Sequence, residues 1–327
     1  MQIMRQELDD TDRRIAAVLL ASSRASWREI SQCLGLSERT VVRRATPLYA
    51  DGTLRATAVR NPRHFPRLIP LALRIRCRPQ RIRAIAGVLA RRPDTVWVDI
   101  LGGGDEISAV FFLDGPDARN SLLLRDLPAT DAVDSWTAHT LLRVFPTAFR
   151  WTAGLLTAEE TAALAPDPLT TATAPAAPGP LRDGDTALIE ALTEDGRATY
   201  TELARRVGTT ALTARRRLDA LLRGQVLRLA TETDLALLGA QAEALLWITV
   251  QPGALERTAR SLSVHPQVRF TAATAGPANL LVAVATKDLD ALYTFLVSTV
   301  GPLDGIAAIE TTPLLATVKR TGLIRRS

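Results

Sequence analysis

Moved 173 residues along itself, this chain meets its own pattern without a gap, and that repeat constrains the fold more than any composition could. Residues 8–56 lie over residues 181–229 with fourteen of 49 positions identical. The identities include Asp10/Asp183, Asp12/Asp185, Arg24/Arg197, Glu29/Glu202, Gly35/Gly208, Thr40/Thr213 and the doublet Arg43-Arg44/Arg216-Arg217. The same offset joins Ile75 to Ile248, Pro79 to Pro252, Pro93 to Pro266 and Gly103 to Gly276. The chain is a tandem duplication. Its 327 residues are therefore read as one unit used twice, not as one large core.

Each copy opens with a helical stripe, Ile15, Val18 and Leu19 in the first, behind acidic residues that suit a helix N-terminus. After a break at Ser22-Ser23 or Asp195-Gly196 comes Ser26-x-x-Glu29 or Thr199-x-x-Glu202. Both are capping boxes, in which hydroxyl and carboxylate satisfy the free N–H groups of a helix start. The short helix ends at Gly35 or Gly208, and Ser37 or Thr210 caps a third helix running to about Tyr49 or Leu222. Three helices with a glycine turn before the third predict a helix-turn-helix.

Charge is concentrated there. Eleven arginines against Glu38 and Asp51 fall between Ser37 and Arg81, and eight against Glu202 and Asp219 between Arg197 and Arg228. Lys287 and Lys319 are the only lysines, so coding bias explains the choice of arginine but not its clustering. Val41, Ala45 and Leu48 share one face of the third helix, while Arg39, Val42, Arg43 and Thr46 project from the other. An arginine-bearing face suits a polyanion, because bidentate guanidinium reads guanine and neutralises phosphates. The competing reading is a solvated face of a structural three-helix unit. The two faces differ, Glu38, Arg39, Val42 and Arg43 against Ala211, Leu212, Arg215 and Arg216, which predicts two unlike half-sites in an imperfect palindrome.

From Leu71 the period changes to alternation, with Leu71, Leu73, Ile75 and Cys77 on one face. A helix is predicted at 80–91, strands at 95–101 and 107–113, a helix at 117–127 and a strand at 135–144. The second copy repeats this order. The pattern βαββαβ is the ferredoxin-like split unit, which leaves one sheet face needing cover from a second sheet. Between the middle strands lie GGGDE (102–106) and AGPAN (275–279), where Gly103, Asp105, Gly276 and Asn279 are candidates for a small polar ligand. A tight turn with no ligand is the alternative.

Residues 157–180, rich in Ala, Pro and Thr, predict an extended, semi-stiff linker. The N-terminal stretch is too polar for a signal peptide, and no apolar run reaches the ~20 residues of a membrane helix. Cys33 and Cys77 form neither a metal-ligand spacing nor a disulfide framework. The expectation is a cytoplasmic protein with no membrane association, no metal and no cofactor. His64, His139 and His265 lie far apart with no nucleophile or carboxylate motif, so no enzyme is expected.

In this order of elements the chain resembles the leucine-responsive/asparagine regulators, the Lrp/AsnC family. In the first copy the likeness is carried by Leu8-Asp9-Asp10-Thr11-Asp12, Arg24-Ala25-Ser26, Gly35-Leu36-Ser37 and Arg43-Arg44 with Leu48. In the second it is carried by Val250-Gln251-Pro252-Gly253, His265-Pro266-Gln267-Val268 and Val318-Lys319. The resemblance implies an α+β chain of two tandem units, each a winged-type helix-turn-helix followed by a ferredoxin-like domain that oligomerises and senses amino acids or related metabolites. The division expected is 8–60 and 181–233 for the helix-turn-helices, 68–150 and 242–322 for the sensing domains, and 151–180 for the linker.

Partners are then double-stranded DNA, an amino-acid or small-metabolite effector, and further copies of a chain that is already a pseudo-dimer. DNA contacts are assigned to Ser37, Arg39, Thr40, Arg43 and Arg44, and to Thr210, Thr213, Arg215, Arg216 and Arg217. The alternative function is a metabolite-sensing scaffold or regulatory subunit of an amino-acid enzyme, without DNA binding. Gln225 at the position of Gly52, and Thr209-Thr210 in place of Leu36-Ser37, are the marks by which a degenerate second reader would be recognised.

Overall fold

In a computed structural model, residues 8–145, 151–164 and 181–325 are described. Helices α1 (Asp10–Ala21), α2 (Trp27–Leu34) and α3 (Glu38–Ala50) form the first three-helix unit, followed by strand β1 (Arg55–Arg60). Ser26 and Glu29 close their capping box reciprocally, and Gly35 ends α2 in the left-handed region at φ 65°. Ile15, Leu19, Ile30, Val41 and Ala45, all buried completely, form the seam between the helices.

Helices α7 (Asp185–Glu194), α8 (Tyr200–Val207) and α9 (Ala211–Arg223), with β6 (Leu227–Glu232), repeat this in the second copy. Two of its departures keep the local geometry of the first copy. Gln225 adopts φ 56° where Gly52 adopts φ 81°, so the same turn is made. Thr210 caps α9 as Ser37 caps α3.

Each copy contributes a single wing strand. These strands pair with each other, antiparallel, with Arg55 opposite Glu232 and Arg60 opposite Leu227. The two helix-turn-helices thus lie in one compact unit, residues up to Arg60 with Phe149–Gln241. Their corners are also joined: Arg24 Nη1 donates to the carbonyls of Gly196 and Ala198, each at 2.9 Å. Arg197 Nη1 donates to Ser23 (2.7 Å) and Ala25 (3.3 Å).

The second unit, Asn61–Ala148 with Ala242–Ser327, contains both sensing domains. Its first copy runs β2 (Leu68–Cys77), α4 (Ile82–Arg91), β3 (Thr95–Leu101), β4 (Glu106–Asp114), α5 (Gly115–Ser121) with a π-helical turn to Asp126, and β5 (Val133–Val144). The second runs β7 (Ala242–Val250), α10 (Leu255–Ser263), β8 (Val268–Ala275), β9 (Leu280–Thr286), α11 (Leu289–Phe295) with a π-helical turn to Val300, and β10 (Ile306–Arg320), with a short β11 (Leu323–Ile324) at the edge.

The expected βαββαβ order is present twice. The two sheets do more than face each other: the last strand of each copy pairs by its first stretch with its own first strand and by its final stretch with the second strand of the other copy. β5 pairs with β2 and β8, and β10 with β7 and β3, which closes eight strands into a barrel. The crossing shortens the open edges that a lone four-stranded sheet would carry. Helices cover the outside over Leu73, Ile75 and Phe111 in the first copy and Leu246, Ile248 and Val282 in the second. Leu101, Val110, Leu141, Leu245, Trp247, Phe270 and Leu281 fill the interior.

One expectation fails in part. Residues 157–163 are not an extended linker but enter a short helix, α6 (Ala158–Ala163), capped by its own box, Thr157 with Glu160. Leu156 and Leu164 are buried, Glu160 forms an ion pair with Arg14 of α1, and Cys33 Sγ of α2 donates to the Glu160 carbonyl at 3.4 Å. Apolar anchors at both ends give the segment something to bury, which its Ala/Pro/Thr composition concealed. Residues 165–180 of the expected linker lie outside the described residues.

Candidate nucleic-acid interface

The third helix of each copy is held by one face and offers the other. On α3, Val41, Ala45 and Leu48 are buried, whereas Arg39, Val42, Arg43 and Thr46 are exposed. On α9, Ala214, Leu218 and Leu221 are buried, and Leu212, Arg215 and Arg216 are exposed. Leu212 leaves 57% of its surface in water. Arg215 leans over the Tyr200 ring at 5.9 Å and lies 4.0 Å from Asp219, so its guanidinium is partly oriented in advance.

The remaining expected contacts have other occupations. Ser37 Oγ accepts from Thr40 N at 3.1 Å and lies 2.8 Å from Thr40 Oγ1; Thr210 and Thr213 repeat this at 3.2 and 2.9 Å. These four hydroxyls organise the helix N-termini, leaving each at the exposed end of its helix.

The second arginine of each doublet turns inward. Arg44 pairs with Asp9 and, at 3.1 Å, with Asp12; the guanidinium and the Asp12 backbone N–H together hold the Asp9 carboxyl below its usual range. Arg217 donates to the Asp183 carbonyl and lies 3.7 Å from the buried Asp185 carboxylate. Both tie the third helix to the first, so Arg44 and Arg217 are drawn away from its exposed face. The acidic opening of each copy, read from sequence as a helix-start signal, is also the counter-charge for this arginine.

In the barrel unit the two loops expected to meet a ligand are unlike. Asp105 keeps 43% of its side chain exposed and lies 3.8 Å from Arg76, beside the bare backbone of Gly103. Asn279 is already occupied: its Oδ1 accepts from Val250 N at 2.8 Å and its Nδ2 donates to Val250 O at 2.7 Å. Gly276 lies so close to His139 that an added Cβ would fall 2.5 Å from Nδ1.

Next to the first loop, Arg74 bridges Glu310 and Glu106 at 2.6–2.9 Å and lies over the Trp247 ring at 5.3 Å. Its charge is strengthened first by Glu310 and then by Glu106. His139 packs against the opposite side of this corner, 4.6 Å from the Trp247 ring centroid. Among the described residues no cluster of His, Cys, Asp and Glu could hold a metal, and no helix is long and apolar enough to cross a membrane.

Comparison with known proteins agrees with this geometry. The AsnC-type helix-turn-helix domain matches residues 8–48 and again 183–222, and the Lrp/AsnC ligand binding domain matches residues 243–324. An HTH-type transcriptional regulator of Pyrococcus abyssi is 30% identical over 142 residues, 43% of this chain and 89% of the relative. The chain belongs to the Lrp/AsnC family.

A Pyrococcus horikoshii regulator of the same description is 29% identical over the same length and likewise 89% covered. Each relative is therefore about one of the two copies long. This member of the Lrp/AsnC transcription regulators carries the DNA-binding helix-turn-helix twice. Its two-copy fold is shared with the siroheme decarboxylase NirDL, at TM-score 0.61 and 12% identity, over 98% of this chain and 95% of that one.

Proposed function

We propose that the chain is a sequence-specific transcription regulator whose two helix-turn-helices act on DNA as an intrachain pseudo-dimer. The observation that carries this reading is the pair of exposed arginine faces, Arg39 and Arg43 on α3 and Arg215 and Arg216 on α9, in one compact unit. Each helix enters a major groove, with centres about one helical turn, ~34 Å, apart along the DNA. Because Glu38, Arg39 and Val42 stand where Ala211, Leu212 and Arg215 stand, the operator is an imperfect palindrome. Binding to the DNA upstream of its own gene, against a scrambled duplex and titrated with salt, tests this. Sequence-preferring binding that weakens steeply with salt supports it, and absence of binding at low salt overturns it.

Effector sensing, in this reading, is one-sided. Asp105 beside Gly103 remains accessible to the ammonium of an amino acid or a similar cation, whereas Asn279 is committed to Val250. Sensing acts on the assembly of chains. Light scattering and DNA affinity, measured with and without each amino acid, decide whether an effector exists.

The fold shared with NirDL raises a second reading, an enzyme acting on a tetrapyrrole. Against it, His139 is 2% exposed and enclosed by Trp247, Gly276 and Ala278, and the barrel interior beside it is filled with side chains. A Soret shift on titration with iron-uroporphyrin III would favour the enzyme.

A further inference from the structure

Arg24 and Arg197 are identical residues at the repeat offset, and neither lies on a reading face. Each reaches across to the other copy and makes the same kind of contact there. Arg24 donates to the carbonyls of Gly196 and Ala198 at 2.9 Å and lies over the Tyr200 ring at 5.0 Å. Arg197 donates to Ser23 at 2.7 Å and to Ala25 at 3.2–3.3 Å, and lies over the Trp27 ring at 4.5 Å. The Tyr49 ring, at the end of α3, lies 5.4 Å from the Arg197 guanidinium. Each arginine thus grips the turn between the first and second helices of its neighbour, the turn that precedes the capping box.

The wing strands give a second attachment, which meets the first at Gly196. Gly196 N donates to the Ala56 carbonyl at 2.9 Å, and Thr57 Oγ1 donates to Thr193 O at 2.8 Å. Gly196 has no room for a side chain, since a Cβ would fall 2.6 Å from Thr57 N. A two-stranded ribbon alone twists easily and fixes no angle between the bodies it joins. Two arginine forks added to the ribbon remove that freedom. A planar guanidinium holding two carbonyls while stacked on a ring resists both sliding and rotation.

We infer that Arg24 and Arg197 are positioning residues that set the separation and mutual angle of α3 and α9, so that the chain accepts one spacing of half-sites. The inference rests on the DNA reading above, but its physical core, a fixed distance between two helices, is measurable without DNA. It also limits regulation: a ligand in the barrel does not retune half-site spacing while the forks hold.

The test has two arms. In the first, nitroxides are placed at Arg39→Cys and Leu212→Cys, equivalent exposed positions, in a Cys33→Ser, Cys77→Ala background, and their distance distribution is measured by electron-electron double resonance. The parent gives one narrow peak. Arg24→Ala with Arg197→Ala broadens it at least about two-fold with unchanged helical circular dichroism, and the Lys pair, with one ammonium in place of a planar fork, gives an intermediate width. If the double variant does not fold, Arg24→Lys alone is compared with the parent. An unchanged width in either folded variant overturns the inference.

In the second arm, operators carrying 1 additional base pair between half-sites, a shift that a ribbon without forks can follow, are compared with the native spacing. The parent loses about 100-fold in affinity because only one helix reaches its site, and the alanine pair loses less than about 5-fold. Equal loss in both overturns the inference. Failure of the parent to bind any DNA, with the width change intact, overturns the DNA reading and leaves the clamp standing.

Discussion

Within and between the two helix-turn-helices, contacts come in twins. Arg24 answers Arg197, the Arg44–Asp12 pair answers Arg217–Asp185, and the wing strands face each other in one ladder. In the barrel the seams are twinned too, Leu141 beside Thr274 on one side and Leu314 beside Leu101 on the other. The corner near the loops is not. There Arg74 stands opposite in kind to Trp247, Glu106 to Asn279 and His139 to Thr312, each pair related by the repeat. These diverged residues still meet across the copies, Arg74 with Glu310 and Trp247 and His139 with Trp247 and Gly276, so at this corner the copies have become complements instead of twins. A duplicated chain has that freedom because its halves mutate separately, which a symmetric dimer of identical chains lacks.

The apolar rows beneath the helices offer the strongest test of this difference. Leu73 and Leu246 are repeat partners, and both are buried completely. Leu73→Ala and Leu246→Ala should each cost about 3 kcal/mol, from lost burial and an incompletely closed cavity. Urea unfolding checks this. A difference above ~1.5 kcal/mol between the two would show that the divergence reaches the core and is not confined to the loop corner.

On the reading faces the expected effect is smaller and appears in binding. Arg43→Ala and Arg216→Ala should each weaken operator binding about 10- to 100-fold, each at one half-site, as footprinting would show. Arg44→Ala and Arg217→Ala should leave base preference intact and lower stability only slightly, since both guanidinium groups are partly solvated. If Arg44→Ala abolishes base preference at its half-site, the division of labour within the doublet is wrong.

The doublet also shows what the sequence could carry. Capping boxes, glycine turns and the 3.6-residue stripe are local, so α1 to α3 and α7 to α9 were legible within a residue or two. Strand β3 was legible to the residue, its bounds matching the expected 95–101. The exchange of β5 and β10 between copies was not, since pairing across more than 130 residues leaves no trace in either strand. The inward turn of Arg44 was hidden for the same reason: its partners, Asp9 and Asp12, lie on another helix. Helix α6 had a local signal, Thr157-x-x-Glu160, the same box used for α2 and α8, and composition overrode it.

A further prediction concerns the unmatched His139. Burial, reinforced by the Arg74 charge and opposed by the Ala278 carbonyl, holds its pKa below 6.5, so the folded barrel prefers the neutral ring. Because an unfolded histidine binds its proton near 6.5, stability is full above that pH and falls progressively as the pH drops through it. Burial lowers His64 and His265 as well, so the comparison is between wild type and His139→Gln. Melting curves from pH 7.5 to 5 should show the wild type losing more stability, and parallel curves would assign the acid sensitivity to the other two histidines.

The smallest effect separates the two glycine-turn positions after the third helices. Gly52 takes φ 81° without strain, whereas Gln225 holds φ 56°, a region its Cβ disfavours. Gln225→Gly removes that strain but loosens the unfolded chain, so the net gain is at most about 1 kcal/mol. The mirror change, Gly52→Gln, should cost a similar amount, and neither should alter operator affinity, because the turn is preserved in both. If Gln225→Gly instead lowers stability, the glutamine side chain contributes more than the strain it imposes. The second copy would then have replaced the glycine by selection for a new contact, and its divergence would reach the base of its reading helix.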